Sequence, residues 1–184
     1  MMEIPMFTVL KSASCRQVGM TARCITQPNN PGVGIEVLTH SPLRRVFTHF
    51  VPHWDEKCVL VLHVSANLVL FAQKNELLVV QKQAHCWTIS PLATRDTINM
   101  VTACDSGRQI CVVTDQGVIV VRSHDQSIVS SFRAEGIKQF FCQAVKSQLL
   151  LTYLTERGIV FTSVLDGNKV RSRISPTHGC TECT

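Results

Sequence analysis

The sequence predicts an all-β chain, an array of four-stranded antiparallel sheets repeated about every 41 residues. Three observations predict it. "TDQGVIVV" (114–121) is followed 41 residues later by "TERGIVFT" (155–162), the same polar turn, glycine and apolar run. Short polar tetrads sit between paired apolar runs, which is how hairpins are written. The runs are rich in β-branched residues, and no long 3.6-residue periodicity survives them.

The tetrads anchor the inner strands. "QKNE", "TDQG" and "TERG" are preceded by "LVLFA" (68–72), "ICVV" (110–113) and "LLLTY" (149–153). They are followed by "LLVVQ" (77–81), "VIVVR" (118–122) and "IVFTS" (159–163). Gly117 and Gly158 supply the positive φ such turns ask for, and in the first tetrad, where Glu76 replaces the glycine, Asn75 is expected to take that position. These runs do not alternate, so they read as strands covered on both faces.

Each unit has two further strands. Upstream are "CVLVLHV" (58–64), "INMVTAC" (98–104) and "IKQFFCQ" (137–143). Downstream are "CWTIS" (86–90), "SIVSSF" (127–132) and "KVRSRI" (169–174), more polar and alternating, as outer strands should be. The first 50 residues form a divergent unit with strands in "MFTVLK", "QVGMTARCIT", "IEVLT" and "RVFTHF", and a turn at "NNPGVG" (29–34).

Four antiparallel strands in about 41 residues is the size of one β-propeller blade. The expected units are about 6–50, 57–90, 97–132 and 137–174, in one domain over 1–174 with a flexible tail at 175–184. A β-sandwich is the alternative. In period and strand pattern, residues 6–174 resemble the WD-repeat type of propeller, in degenerate form. The family's Gly-His and Trp-Asp dipeptides are missing from their places, and "HWDEK" (53–57) has Trp-Asp before a first strand rather than at the end of a third. The resemblance implies a binding platform. Propellers of this family usually close with more blades than four, so it also implies a partial propeller, completed by a partner's blade, by a second copy or by the rest of a longer protein.

Composition bounds the function. Hydrophobic residues are 45% and charged residues 17% of the 184, an ordinary globular balance. No apolar run reaches the ~18–20 residues of a membrane-spanning helix, and "CVLVLHVSANLVLF" is broken by His63, Ser65 and Asn67. The start has no signal-peptide pattern and there is no Asn-x-Ser/Thr sequon. The nine cysteines are odd in number and scattered through apolar runs, which argues for thiols in a reducing compartment, cytoplasmic or nuclear.

Candidate chemistry is sparse. His178, Cys180 and Cys183 in "THGCTECT" offer three zinc ligands, but a fourth ligand and a second Cys-x-x-Cys pair are lacking, so a terminal tail is the expected reading. No nucleophile elbow and no phosphate-binding loop occurs. No catalytic residue and no cofactor is therefore expected. The net charge of +5 is dispersed, which argues against nucleic acid; the exceptions are Arg44–Arg45 and Lys169–Arg171–Arg173.

The leading expectation is a non-enzymatic protein-interaction scaffold within a multi-subunit complex. Its candidate contact residues are Arg44, Arg45 and Arg95, in the loops "THSPLRRV" (39–46) and "SPLATRDT" (90–97), together with Trp54. Trp87 is read as core packing. The alternatives are a closed four-bladed propeller that binds a ligand or acts as an enzyme, using His63, Asn99 and Lys138, and a nucleic-acid-associated subunit.

Overall fold

A computed structural model describes residues 7–28, 30–53, 60–84, 86–104, 107–146, 148–166 and 169–174, with backbone alone for Asn30, Asp166 and 169–174. It contains four separate four-stranded sheets, each an antiparallel meander in chain order. Among the described residues there is no α-helix; a 3-10 turn lies at Arg16–Val18. The chain forms two compact units that divide between Arg95 and Asp96.

The first unit holds sheet 1, with β1 (Thr8–Cys15), β2 (Met20–Gln27), β3 (Asn30–His40) and β4 (Leu43–Val51). It also holds sheet 2, with β5 (Leu60–Ser65), β6 (Leu68–Gln73), β7 (Glu76–Gln83) and β8 (Cys86–Ala93). One face of sheet 1, with Ala22, Cys24, Ile35 and Val37, packs on Leu60, Leu62, Val69 and Phe71 of sheet 2. Each of the Val, Ile, Leu and Phe side chains among them contributes about 1.5–3 kcal/mol when removed from water. Lys11 Nζ on β1 donates to the Leu60 carbonyl at 2.6 Å and ties the first strands of the two sheets together. Phe47 and Trp87 close the outer side, ring centroids 5.9 Å apart, so Trp87 does pack against the core.

The second unit repeats the plan. Sheet 3 has β9 (Ile98–Cys104), β10 (Gln109–Thr114), β11 (Gly117–Arg122) and β12 (Ile128–Arg133). Sheet 4 has β13 (Ile137–Val145), β14 (Gln148–Thr155), β15 (Val160–Asp166) and β16 (Lys169–Ile174). Cys111, Val113, Val118 and Val120 of sheet 3 meet Leu149, Leu151 and Leu165 of sheet 4. Of the apolar runs that fail to alternate in sequence, those of sheets 2 and 3 are the strands covered on both faces, whereas β14 of sheet 4 alternates buried with half-buried residues. β6 is buried from end to end and β10 from Ile110 onward, whereas β8 and β12 are exposed or half-buried along their length. Pro91 sits in β8, an edge strand, where a missing N–H breaks no sheet.

The glycines differ from their expected roles. Gly158 lies in the loop after β14 at φ +76°, as a turn requires. Gly117, its partner 41 residues earlier, also has a positive φ, +156°, but as the first residue of β11, opposite Arg133. A Cβ there would fall on the Phe132 carbonyl oxygen and lie 3.0 Å from Arg133 Cα. The repeat thus preserves glycine for backbone conformation at both copies and, at Gly117, for close backbone approach as well.

Within "NNPGVG", residues 30–34 are strand rather than turn, because β3 begins at Asn30 and runs through them. A Cβ on Gly32 would collide with the Phe50 ring, and one on Gly34 would sit 3.1 Å from Ile25 Cγ1. In the β6–β7 hairpin Lys74, not Asn75, takes the left-handed position, at φ 53°. The stretch 39–46 is mostly strand, with Ser41 and Pro42 as its only turn residues.

Candidate functional site

The expected contact residues do not converge. Arg44 and Arg45 lie in edge strand β4, and successive strand residues point to opposite faces, so the pair makes no single basic patch. Arg95 is exposed in the segment between β8 and β9. Trp54, and the tail residues His178, Cys180 and Cys183, lie outside the described residues. Lys169, Arg171 and Arg173 fall in edge strand β16. His63 is half-buried on β5, while Asn99 and Lys138 are exposed on β9 and β13.

Arg45 is engaged by a group that sequence reasoning missed. Glu36 on β3 is 3% exposed. Its Oε2 accepts from Arg23 Nε at 2.8 Å and its Oε1 from Arg45 Nη1 at 3.0 Å. Burial alone would raise its pKa, but the hydrogen bonds and charges of Arg23 and Arg45 outweigh it and hold the carboxyl below its ordinary range. Arg23 also stacks on Phe7, 4.9 Å from the ring centroid. Strand pairing alone places Arg23 opposite Glu36. The three groups form a structural clamp, with the carboxylate saturated and unavailable as a base.

Sheet 4 carries an exposed apolar face. Phe140 and Cys142 on β13 turn toward sheet 3, so Phe141, Gln143 and Val145 take the opposite side. Phe141 is 66% and Val145 45% exposed. At one end of this unit a cleft of ≈ 440 Å³ is lined by Arg133, Glu135, Tyr153, Glu156, Arg157 and Phe161. Tyr153 stacks on Phe161 in its wall, centroids 5.1 Å apart. Its charges are mixed in sign and exposed, so it focuses no field for an ionic ligand.

Three thiols meet where sheets 3 and 4 pack. Cys104 ends β9, Cys111 is in β10 and Cys142 is in β13. Their sulfurs all lie within 4.8 Å of one another, and Cys104 Sγ is 3.7 Å from Cys111 Sγ. Hydrogen bonding with Cys104 and Cys142, then burial, pushes the Cys111 thiol well above its ordinary range. Elsewhere burial pushes Cys24 up to about 12 against the pull of Lys11, which makes that thiol inert.

No protein-family model and no curated protein matches the chain. Solved structures do. Hsv2 of Kluyveromyces lactis superposes with a TM-score of 0.56 at 11% identity, over 86% of this chain and 48% of that one. The dihydro-heme d1 dehydrogenase NirN gives 0.60 at 14% identity, over 91% and 38%. The WD40 domain of SCAP from fission yeast gives 0.50 at 12% identity, over 92% and 52%. The chain thus spans about half or less of the length of these neighbours. Sheets of four antiparallel strands in chain order, together with these neighbours, give the chain the fold of a degenerate WD-repeat-like β-propeller.

Proposed function

We propose that the chain is a non-enzymatic interaction module, a run of propeller blades that docks a further blade supplied by another chain within a larger assembly. The observation that carries this reading is the face of β13, where Phe141 and Val145 are 66% and 45% exposed. In this fold a blade buries such a face against the next blade. The propeller neighbours, about twice this chain's length, are consistent with more blades than the four sheets described here.

The fold itself does not choose between binding and catalysis, since one neighbour is by name a dehydrogenase. The residues favour binding. The one carboxylate buried among the described residues is locked between two arginines, and the thiols with raised pKa values are poor nucleophiles. Nucleic acid is disfavoured because Arg45 is paired with Glu36 and Arg44 faces the other way. Arg44, Arg95 and Trp54 remain candidates for the rim of a protein interface. Among the described residues no helix is long and apolar enough to cross a membrane.

Sedimentation velocity over a range of concentrations tests the reading. The chain alone is expected to self-associate through the uncovered face, and Phe141→Asp to abolish the association with unchanged circular dichroism. A monodisperse monomer at every concentration, indifferent to Phe141→Asp, would overturn it.

A further inference from the structure

The geometry points to a soft-metal site in the core between sheets 3 and 4, where Cys104, Cys111 and Cys142 hold one monovalent copper ion in trigonal thiolate coordination. The three residues come from three strands. Cys104 pairs with Gln109 and Cys111 with Thr102, so the first two thiols are diagonal neighbours across β9 and β10. Cys142 arrives from the facing sheet, where it pairs with Leu151. Packing of the two sheets is therefore what assembles the triangle.

The spacing discriminates between the fates open to clustered thiols. A metal with bonds of ~2.3 Å to three sulfurs in a plane holds them about 4.0 Å apart. The cluster lies near that figure, with one pair at 3.7 Å and all within 4.8 Å. A disulfide needs a separation of about 2.05 Å, a closure of more than ~1.5 Å for Cys104 and Cys111 inside a paired sheet. Three thiols packed only as small apolar residues remain the plain alternative, and the experiment below separates it.

The donor set selects the ion. Thiolates are soft ligands suited to monovalent copper or zinc. Zinc takes four ligands in a structural site, and among the described residues the cluster holds three, all sulfur. Val120, which pairs with Cys111, and Leu151, which pairs with Cys142, belong to the same apolar core as the thiols and offer the ion no further donor. Cys111 is fully buried and Cys104 is 6% exposed, while Cys142 is only half-buried and offers the way in. As the three Cu–S bonds form, three thiol protons leave to solvent and the site carries a net charge of −2; no electron is transferred.

The test uses the full chain with Cys180→Ser and Cys183→Ser, which removes the thiols of the C-terminal Cys-x-x-Cys pair. It is titrated anaerobically with Cu(I) against bicinchoninate as competing chelator. One copper per chain is expected to stay with the protein and to raise its melting temperature. Cys142→Ser, at the half-buried edge, should leave the metal-free melting temperature unchanged and weaken retention by at least about tenfold. Cys104→Ser should weaken it likewise. Retention unaffected by both substitutions, no retention by the parent, or zinc held in preference to copper would each overturn the assignment.

Discussion

Arg23 Nη2 lies 2.7 Å from Glu36 Oε2, across the β2–β3 pair, and Arg45 reaches the other carboxylate oxygen from β4. A buried carboxylate thus pins three consecutive strands of sheet 1. Removing its charge leaves Arg23, 26% exposed, without its partner. Glu36→Gln is expected to destabilise the chain by about 2 kcal/mol, the size of a charged hydrogen bond, measured by urea denaturation at neutral pH.

The same carboxylate sets an acid limb of stability. Its folded pKa is lowered from an ordinary 4.5, so its contribution is fully present above 4.5 and disappears as pH falls through the folded value. Stability of the parent should therefore fall more steeply than that of Glu36→Gln below pH 4.5. Parallel curves for the two proteins in that range would contradict the pairing.

Gly158 shows the cost of backbone conformation alone, and Gly117 adds close approach to a positive φ of +156°. Gly158→Ala meets nothing within 4 Å and strains only φ, so it should destabilise by about 1 kcal/mol. Gly117→Ala drives a methyl group onto the Phe132 carbonyl, an overpacking worth roughly 2–3 kcal/mol. Thermal melts of the two variants should rank in that order.

Phe47 and Trp87 join the outer strands of sheets 1 and 2. Trp87→Ala is expected to destabilise by roughly 2–3 kcal/mol, since the ring is half-buried against the core. A double-mutant cycle with Phe47→Ala should return a coupling of about 1 kcal/mol. Additive effects would place the two rings out of contact.

Exposure and burial make opposite forecasts for two phenylalanines. Phe71, 2% exposed in β6, should lose about 3–5 kcal/mol as Phe71→Ala. Phe141, 66% exposed, should change stability by no more than about 0.5 kcal/mol as Phe141→Ser and should lose association instead. The check pairs denaturant melts with sedimentation.

The strand plan was legible from the amino acids because burial on both faces leaves a direct trace. "LVLFA" and "ICVV" do not alternate, and they became β6 and β10. Turn chemistry was less legible. Glycine spares a collision as readily as it bends a chain, so "NNPGVG" reads as a turn although Gly32 and Gly34 sit inside β3 to clear Phe50 and Ile25. The exposed face at Phe141 and the Glu36 clamp left no local trace, because each depends on which residue lies across the strand pair or the sheet.

By itself, then, the sequence determined an all-β chain of four-stranded units, since strand period and apolar runs are local properties of the chain. Only the tertiary structure decided that Arg45 shares Glu36 with Arg23, that Gly117 guards a carbonyl, and that Cys104, Cys111 and Cys142 share one pocket. The physical reason is one of range: a strand forms from its neighbours in sequence, whereas a clamp or a thiol triangle forms from register and from the packing of one sheet on another.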